Sequence, residues 1–289
     1  MPARRRRLAV VAAAAVLLAG CQTDGSRGPA RVTSTAGPTT GSSAGSSAGS
    51  SASTPAGRDP GPARPLAGRV VVLDPGHQLG NRRHVAEVNR LVDAGGFAKE
   101  CNTTGTATNS GLPESTFTWA VARVARRHLE RMGAKVVLTR DTDSDDQWGP
   151  CVDERGRVGN PGERGPTADV RVSIHADGNL DPGATGFHVI RPALREGWTD
   201  DIERPSRRLA RTLRDALVAA GIPPATYRGA DGIDARDDLG TLNLSDVPAV
   251  MAELGNMRHP DDAARMESRA GQRRYGRAIA VAVRDYLAR

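Results

Sequence analysis

The sequence predicts an α/β fold, a single domain with a twisted, mostly parallel sheet flanked by helices. From residue 69 onward, short β-rich apolar runs alternate with longer stretches of helical period, the pattern of strands joined by helical crossovers. Glycines stand where such helices should stop, at Gly133 and Gly221. No internal repeat and no second folded segment interrupts the alternation.

Taken in order, the predicted strands are RVVVLD (69–74), KVVLT (135–139), DVRVSI (169–174), GFHVI (186–190) and PAVMAE (248–253). The predicted helices cover 114–132, 202–220 and 261–288. The first carries Trp119, Val121, Val124, Ala125 and Leu129 near one face. The third follows Pro260-Asp261-Asp262, whose acids suit the positive end of a helix dipole. Between the first strand and the first helix, residues 78–112 are polar and glycine-rich. Pro75 and Gly76 fit the centre of a tight turn, Pro fixing φ and Gly tolerating a positive value.

The chain ahead of residue 69 is different in kind. Four arginines at 4–7 precede LAVVAAAAVLLAG and Cys21, the layout of a secretory signal over residues 1–20, too short for a lasting membrane span. Leu18-Ala19-Gly20-Cys21 resembles the lipobox of bacterial lipoproteins, in which the cysteine is lipidated. Arg5-Arg6-Arg7-Leu8 faintly resembles a twin-arginine signal, so the export route stays open. Residues 21–68 are Gly, Ser, Ala, Thr and Pro with almost no bulky apolar side chain, and read as a disordered tether.

The formal net charge of +7 includes the four leader arginines, and residues 69–289 alone sit near +1. With aromatics at 3%, nothing favours a nucleic-acid groove, and no nucleic-acid partner is expected. With Cys21 assigned to lipid, Cys101 and Cys151 remain, and in an exported, oxidising setting they are expected to form a disulfide. Such a bridge closes a loop of about fifty residues and contributes up to roughly 4 kcal/mol in the chain-entropy model.

Three residues stand at equivalent places. His77 follows the first strand, His175 ends DVRVSIH, and Glu253 ends PAVMAE. If the strands are parallel neighbours, all three project from the carboxyl edge of the sheet, where open α/β folds carry their sites. Glu114, in the first turn of the first helix, lies a short reach away. Imidazoles and carboxylates converging on one edge have the composition of a metal site. Taken singly, each has a bland reading: a solvated loop histidine for His77, a helix-dipole acid for Glu114, a backbone-bonded histidine for His175. Glu253 is harder to dismiss, because a carboxylate ending so apolar a run costs desolvation unless something pairs with it. Of the other histidines, His84 is placed in a polar loop, His128 on a solvated face and His188 as a packed or partly exposed strand residue.

LDPGH (73–77), LTRDTD (138–143), RGRVGN (155–160), SIHAD (173–177) and PAVMAELGN (248–256) resemble, in order and spacing, the zinc-dependent N-acetylmuramoyl-L-alanine amidases of amidase type 3. The resemblance spans almost all of 69–288. It implies hydrolysis of the amide between N-acetylmuramic acid and L-alanine in peptidoglycan, in cell-wall remodelling or turnover. It also implies one Zn2+ per chain on His77, Glu114 and His175, with Glu253 as the catalytic glutamate. Two histidines and a carboxylate leave a position open for water, as catalytic zinc requires. Peptidoglycan or muropeptides are then the expected partner. The expected state is a monomer, lipid-anchored to the outer face of the cytoplasmic membrane.

The pattern is departed from in several places. The long interval between His77 and Glu114 leaves Glu87 and Glu100 as alternative ligands. Asp177 stands where the family usually has asparagine, Asn256 where it has phenylalanine, and His259 where it has asparagine. His259 is expected in a capping or surface role, with substrate contact the alternative. No inserted helix that plugs the cleft is visible in 191–247, so activity without an activator is expected. Residues 78–112, held by the bridge, are expected to wall the cleft. Two rival functions stay open: a zinc peptidase or carboxypeptidase acting on the stem peptide, and a non-catalytic wall-binding lipoprotein.

Overall fold

The structure, a computed structural model, describes residues 64–288; the expected leader, Cys21 and most of the tether lie outside them. Ordered packing begins at Leu66, inside the stretch read as tether, where the side chain is fully buried and its N–H donates to Met132 O.

Strand β1 (Val70–Pro75) is followed by a 3-10 turn (Leu79–Arg83), α1 (Val85–Val88) and a small hairpin, β2 (Leu91–Asp93) with β3 (Ala98–Glu100). Next come α2 (Glu114–Arg131), β4 (Lys135–Leu138), α3 (Val152–Arg157), β5 (Val170–Asp177) and β6 (His188–Pro192). The chain finishes with α4 (Glu203–Ala219), β7 (Ile233–Arg236), α5 (Gly240–Asn243), β8 (Ala249–Asn256), α6 (Pro260–Glu267) and α7 (Arg269–Leu287). The main sheet has the order β4-β1-β5-β8-β6-β7. β4, β1, β5 and β8 are parallel, β6 runs antiparallel to β8, and β7 is parallel to β6.

The two faces of the sheet are covered unequally. On one, α2, α7 and α4 lie side by side over Val71, Leu73, Val172, Ile174, Val250 and Ala252 in one continuous core. That core supplies most of the buried apolar area and so most of the folding drive. The alternate residues of the same strands face α3 and α5. There the apolar clusters are small, and polar side chains are interleaved with them: Asp74, Arg171 and Ser173 are fully buried.

The expected fold is present, with five local differences. A sixth strand, β7, was not anticipated, because IDAR lacks an apolar run. The stretch 78–112 carries a hairpin as well as loop. The last expected helix is two: Ser268 adopts an extended conformation, and its hydroxyl accepts the Gly271 N–H at 2.9 Å, so a cap separates α6 from α7. Trp119 sits at the margin of the apolar face, with the Arg140 guanidinium 5.1 Å above its ring. The turn after β1 differs too: the positive φ falls on His77 (57°) rather than on Gly76. No helix among the described residues is long and apolar enough to cross a membrane.

Candidate metal centre

β1, β5 and β8 are adjacent and parallel, so His77, His175 and Glu253 reach the same carboxyl edge. His175 and Glu253 are in register, and their side chains share the α3/α5 face. His77 reaches over that edge from the turn. Its left-handed backbone is uncommon for a residue with a Cβ, and the surroundings hold it there. Gly76 is needed for a different reason: a Cβ there would stand 2.3 Å from His175 Cε1.

Two buried arginines fix this corner. The Arg155 guanidinium donates to Asp74 Oδ1 (2.6 Å), Pro75 O (2.8 Å) and His77 O (2.7 Å). Arg140 donates to Pro75 O (3.0 Å) and to Ser115 O (2.7 Å), tying the turn to the first residues of α2. Asp74 also accepts the hydroxyls of Thr139 (2.6 Å) and Ser173 (2.5 Å). Burial works to raise the Asp74 pKa, but Arg155 and the two hydroxyls outweigh it and hold the carboxyl below the usual range. LTRDTD and RGRVGN therefore lend the site its rigidity rather than its reactive groups.

His77 Nε2 lies 3.1 Å from Glu114 Oε1, and His175 Nδ1 lies 3.0 Å from the same oxygen. The ligand atoms of the three residues are all within 4.8 Å of one another. Glu114 is nearly buried; its Oε1 accepts the Ala176 N–H (3.1 Å) and its Oε2 the Thr106 N–H (3.0 Å). Burial raises the Glu114 pKa, yet the adjacent imidazoles outweigh it and keep the carboxylate ionised. With its proton on Nδ1, His77 donates to Thr103 O (3.1 Å) and turns the Nε2 lone pair toward the cluster. Two imidazoles and a carboxylate, oriented by backbone groups, suit a borderline divalent ion such as Zn2+ and leave room for another ligand.

Glu253 stands beside this cluster. Part of it opens to the cleft, while Oε2 is enclosed and has no hydrogen-bond partner among the described residues. Burial, then Asp177 and Glu114, push its pKa well above the ordinary carboxylate value. An acid kept here without a partner is a group waiting for a proton to move or a cation to pair with. Sequence reading missed its neighbours. β6 runs backwards, so its first residue, His188, lands opposite Glu253 on the site edge. His188 is buried, 3.4 Å from Asp177 Oδ2, which accepts the Tyr227 hydroxyl at 2.7 Å. The direction of β6 brings His188 to the site, and no local pattern announces that direction.

The groups open into a cleft of about 310 Å³. One wall is Lys99, Glu100, Asn102, Thr103 and Thr106 from the 78–112 stretch, and another is Leu239–Thr241 at α5. Cys101 and Cys151 are joined, both fully buried, and Val152 next to the bridge also lines the cleft. The expected wall and the expected disulfide are thus both present. Glu87 lies 3.3 Å from His84, and Glu100 lines the cleft outside the three-residue cluster, so Glu114 is the carboxylate that joins the histidines. His259 holds the N-cap position of α6 and is absent from the cleft lining, while Asn256 is buried and donates to Asn179 O and Ala184 O. In 191–247 the long helix, α4, packs on α7 and β6. Cys21 lies outside the described residues.

The profile of the family described as N-acetylmuramoyl-L-alanine amidase (Amidase_3) matches residues 71–285. N-acetylmuramoyl-L-alanine amidase Rv3717 of Mycobacterium tuberculosis is 42% identical over 226 residues, covering 77% of this chain and 88% of that protein. The crystal structure of the N-acetylmuramyl-L-alanine amidase Ami1 from Mycobacterium smegmatis superposes with a TM-score of 0.69 at 39% identity, covering 77% of this chain and 98% of that one. The apo form of Ami1 from Mycobacterium abscessus gives 0.69 at 41% identity, over 77% and 100%. With a family profile spanning the whole sheet and relatives this similar over nearly their full length, the chain belongs to the amidase type 3 family of N-acetylmuramoyl-L-alanine amidases.

Proposed function

We propose that this chain hydrolyses the amide joining N-acetylmuramic acid to L-alanine in peptidoglycan, with zinc held by His77, Glu114 and His175. One observation carries the reading: an unpartnered glutamate, Glu253, faces the same cleft as a ready-made two-histidine, one-carboxylate donor set. Zinc bound there supplies Lewis-acid polarisation of the amide carbonyl and a water acidified toward a pKa of about 7.

The chain's own residues do the rest. Glu253 takes a proton from the attacking water and delivers it to the departing alanine nitrogen, acting first as general base and then as general acid. Arg155 and Arg140 hold the His77 corner and the start of α2 in place, so that the ligands keep their spacing through the reaction. The 78–112 wall, pinned by the Cys101–Cys151 bridge, sets the cleft's width against α5.

Metal analysis combined with mass spectrometry of digested muropeptides tests this, using the chain from Arg64, where the described residues begin. The expected result is about one zinc per chain and release of intact stem peptide from the glycan. Release of single amino acids with the glycan–peptide bond intact would instead indicate a stem peptidase. We infer the location too: a signal over 1–20, acylation of Cys21 and a tether that stops short of the packed Leu66 would hold the domain, as a monomer, outside the cytoplasmic membrane. Palmitate labelling that is lost in Cys21→Ser checks the anchor.

A further inference from the structure

The near-neutral balance of the domain hides a strong separation of charge. The three helices on the apolar face of the sheet carry fourteen arginines against five carboxylates, one of which is the buried Glu114. Thirteen arginines turn outward, fully or in part, along α2, α4 and α7 before Arg284 near the end of α7. Only Arg126, Arg207, Arg214 and Arg284 of this set lie within 4.0 Å of a carboxylate among the described residues. Because residues 69–289 sit near +1, the remainder of the domain is net acidic.

We propose that the outer face of α2, α7 and α4 is a docking surface for an anionic phospholipid bilayer, and that docking turns the cleft away from the lipid. This rests on the exported reading above. Four observations favour a bilayer. First, the face is broad: α7 packs between α2 and α4, and an eighteen-residue helix such as α2 is about 27 Å long. A sheet of charge spread over three helices fits a surface better than a single strand of polymer. Second, between α4 and α7 a shallow trough is lined by Ala216, Ala220, Ala278 and the arginines 273, 274 and 277, so the guanidinium groups stand clear of bulky neighbours. Third, the chain enters the domain beside this face: Leu66 N–H donates to Met132 O, one residue past Arg131 at the end of α2. The described chain therefore begins at the margin of this face, and the apolar run and Cys21 lie upstream of it in sequence. Fourth, His175 and Glu253 project from the opposite face of the sheet, so docking leaves the catalytic side open to the wall.

Val218 is the one large apolar residue strongly exposed on these helices, so the contact is electrostatic, without deep insertion. Each arginine near an anionic surface adds to the attraction, and salt weakens it within a Debye length. The test uses the chain from residue 21 with Cys21→Ser, so that no acyl group contributes, and measures co-sedimentation with phosphatidylglycerol-containing vesicles. Binding is expected to vesicles carrying the anionic lipid and to fall away on pure phosphatidylcholine. It should also fall between about 0.1 M salt, where the Debye length is about 10 Å, and about 1 M, where it is about 3 Å. The triple variant Arg273→Glu, Arg274→Glu, Arg277→Glu should partition at least about ten-fold less, as should Arg123→Glu with Arg127→Glu on α2. Turnover of soluble muropeptides should match the parent in both variants, which keeps this test separate from that of the catalytic reading. Equal partition of parent and variants would overturn the proposal, and so would binding to isolated peptidoglycan with none to anionic vesicles.

Discussion

On one side of the sheet, Val71, Val172 and Val250 meet three long helices in an apolar core; on the other, residues of opposite parity in the same strands include Asp74, Arg171, Ser173 and His175 under two short helices. The strands are the same and only the parity of the residue differs. A strand that alternates between these environments can be stable through one face while it holds charged chemistry on the other. The buried polar face is costly, and every ion in it must be paired and hydrogen-bonded. Arg155 and Asp74 meet that requirement, and Glu253 conspicuously does not.

The comparison can be broken or sharpened by substitutions on each side. The largest effect should come from Glu253→Ala, which should lower turnover about 10²–10⁴-fold while zinc content and melting temperature stay at parent values. A large fall in melting temperature would instead make Glu253 part of the structural network. Arg155→Met should cost about 3–5 kcal/mol in urea unfolding, since it leaves Asp74 buried and unpaired. The same variant should weaken zinc binding about 10–100-fold, because His77 loses the group that holds its carbonyl. Unchanged metal affinity in a folded Arg155→Met protein would separate the network from the site. On the apolar side, Leu213→Ala should cost about 2–5 kcal/mol by leaving a cavity, with kcat/KM of the folded protein and zinc affinity unaltered.

The smallest effect is a slope with pH. Asp74 has its pKa lowered on folding, so its contribution to stability is fully present above the unfolded carboxylate value of about 3.9. As pH falls from there toward the lower folded value, the unfolded chain binds the extra proton, and stability declines by up to about 1.4 kcal/mol per pH unit. Acid titration of unfolding free energy should show that decline in the parent, and Asp74→Asn should lack this component of it. An identical acid slope in both would mean that other carboxylates govern the acid limb.

Much of the site was legible from the shared placement of its residues rather than from any one of them. His77 follows, and His175 and Glu253 lie near the carboxyl ends of, strands that composition alone marks, and parallel neighbours put those ends on one edge. Glu114 was legible as the acid of a helix start, and as a ligand only through the family resemblance, with Glu87 and Glu100 still open. What stayed hidden depends on contacts between distant segments. His188 reaches Asp177 because β6 is antiparallel to β8, and strand direction leaves no trace in the period-two pattern; Tyr227 reaches the same carboxylate from the segment after α4. Gly76 looked like the residue with a positive φ, whereas the left-handed backbone belongs to His77 and the glycine makes room for an imidazole from another strand.

By itself, the sequence determined the alternation of strands and helices, the ends of α2 and α4, the cysteine pair, and His77, His175 and Glu253 as candidates for one sheet edge, because each depends on local spacing or chemistry. The tertiary structure decided which of three candidate glutamates meets the histidines, how Arg155 and Arg140 brace them, and where the charges gather. Arginines on three helices far apart in the chain become one basic face only when α7 packs between α2 and α4. Net charge is a sum over the chain, while the field at a surface depends on where each charge is held.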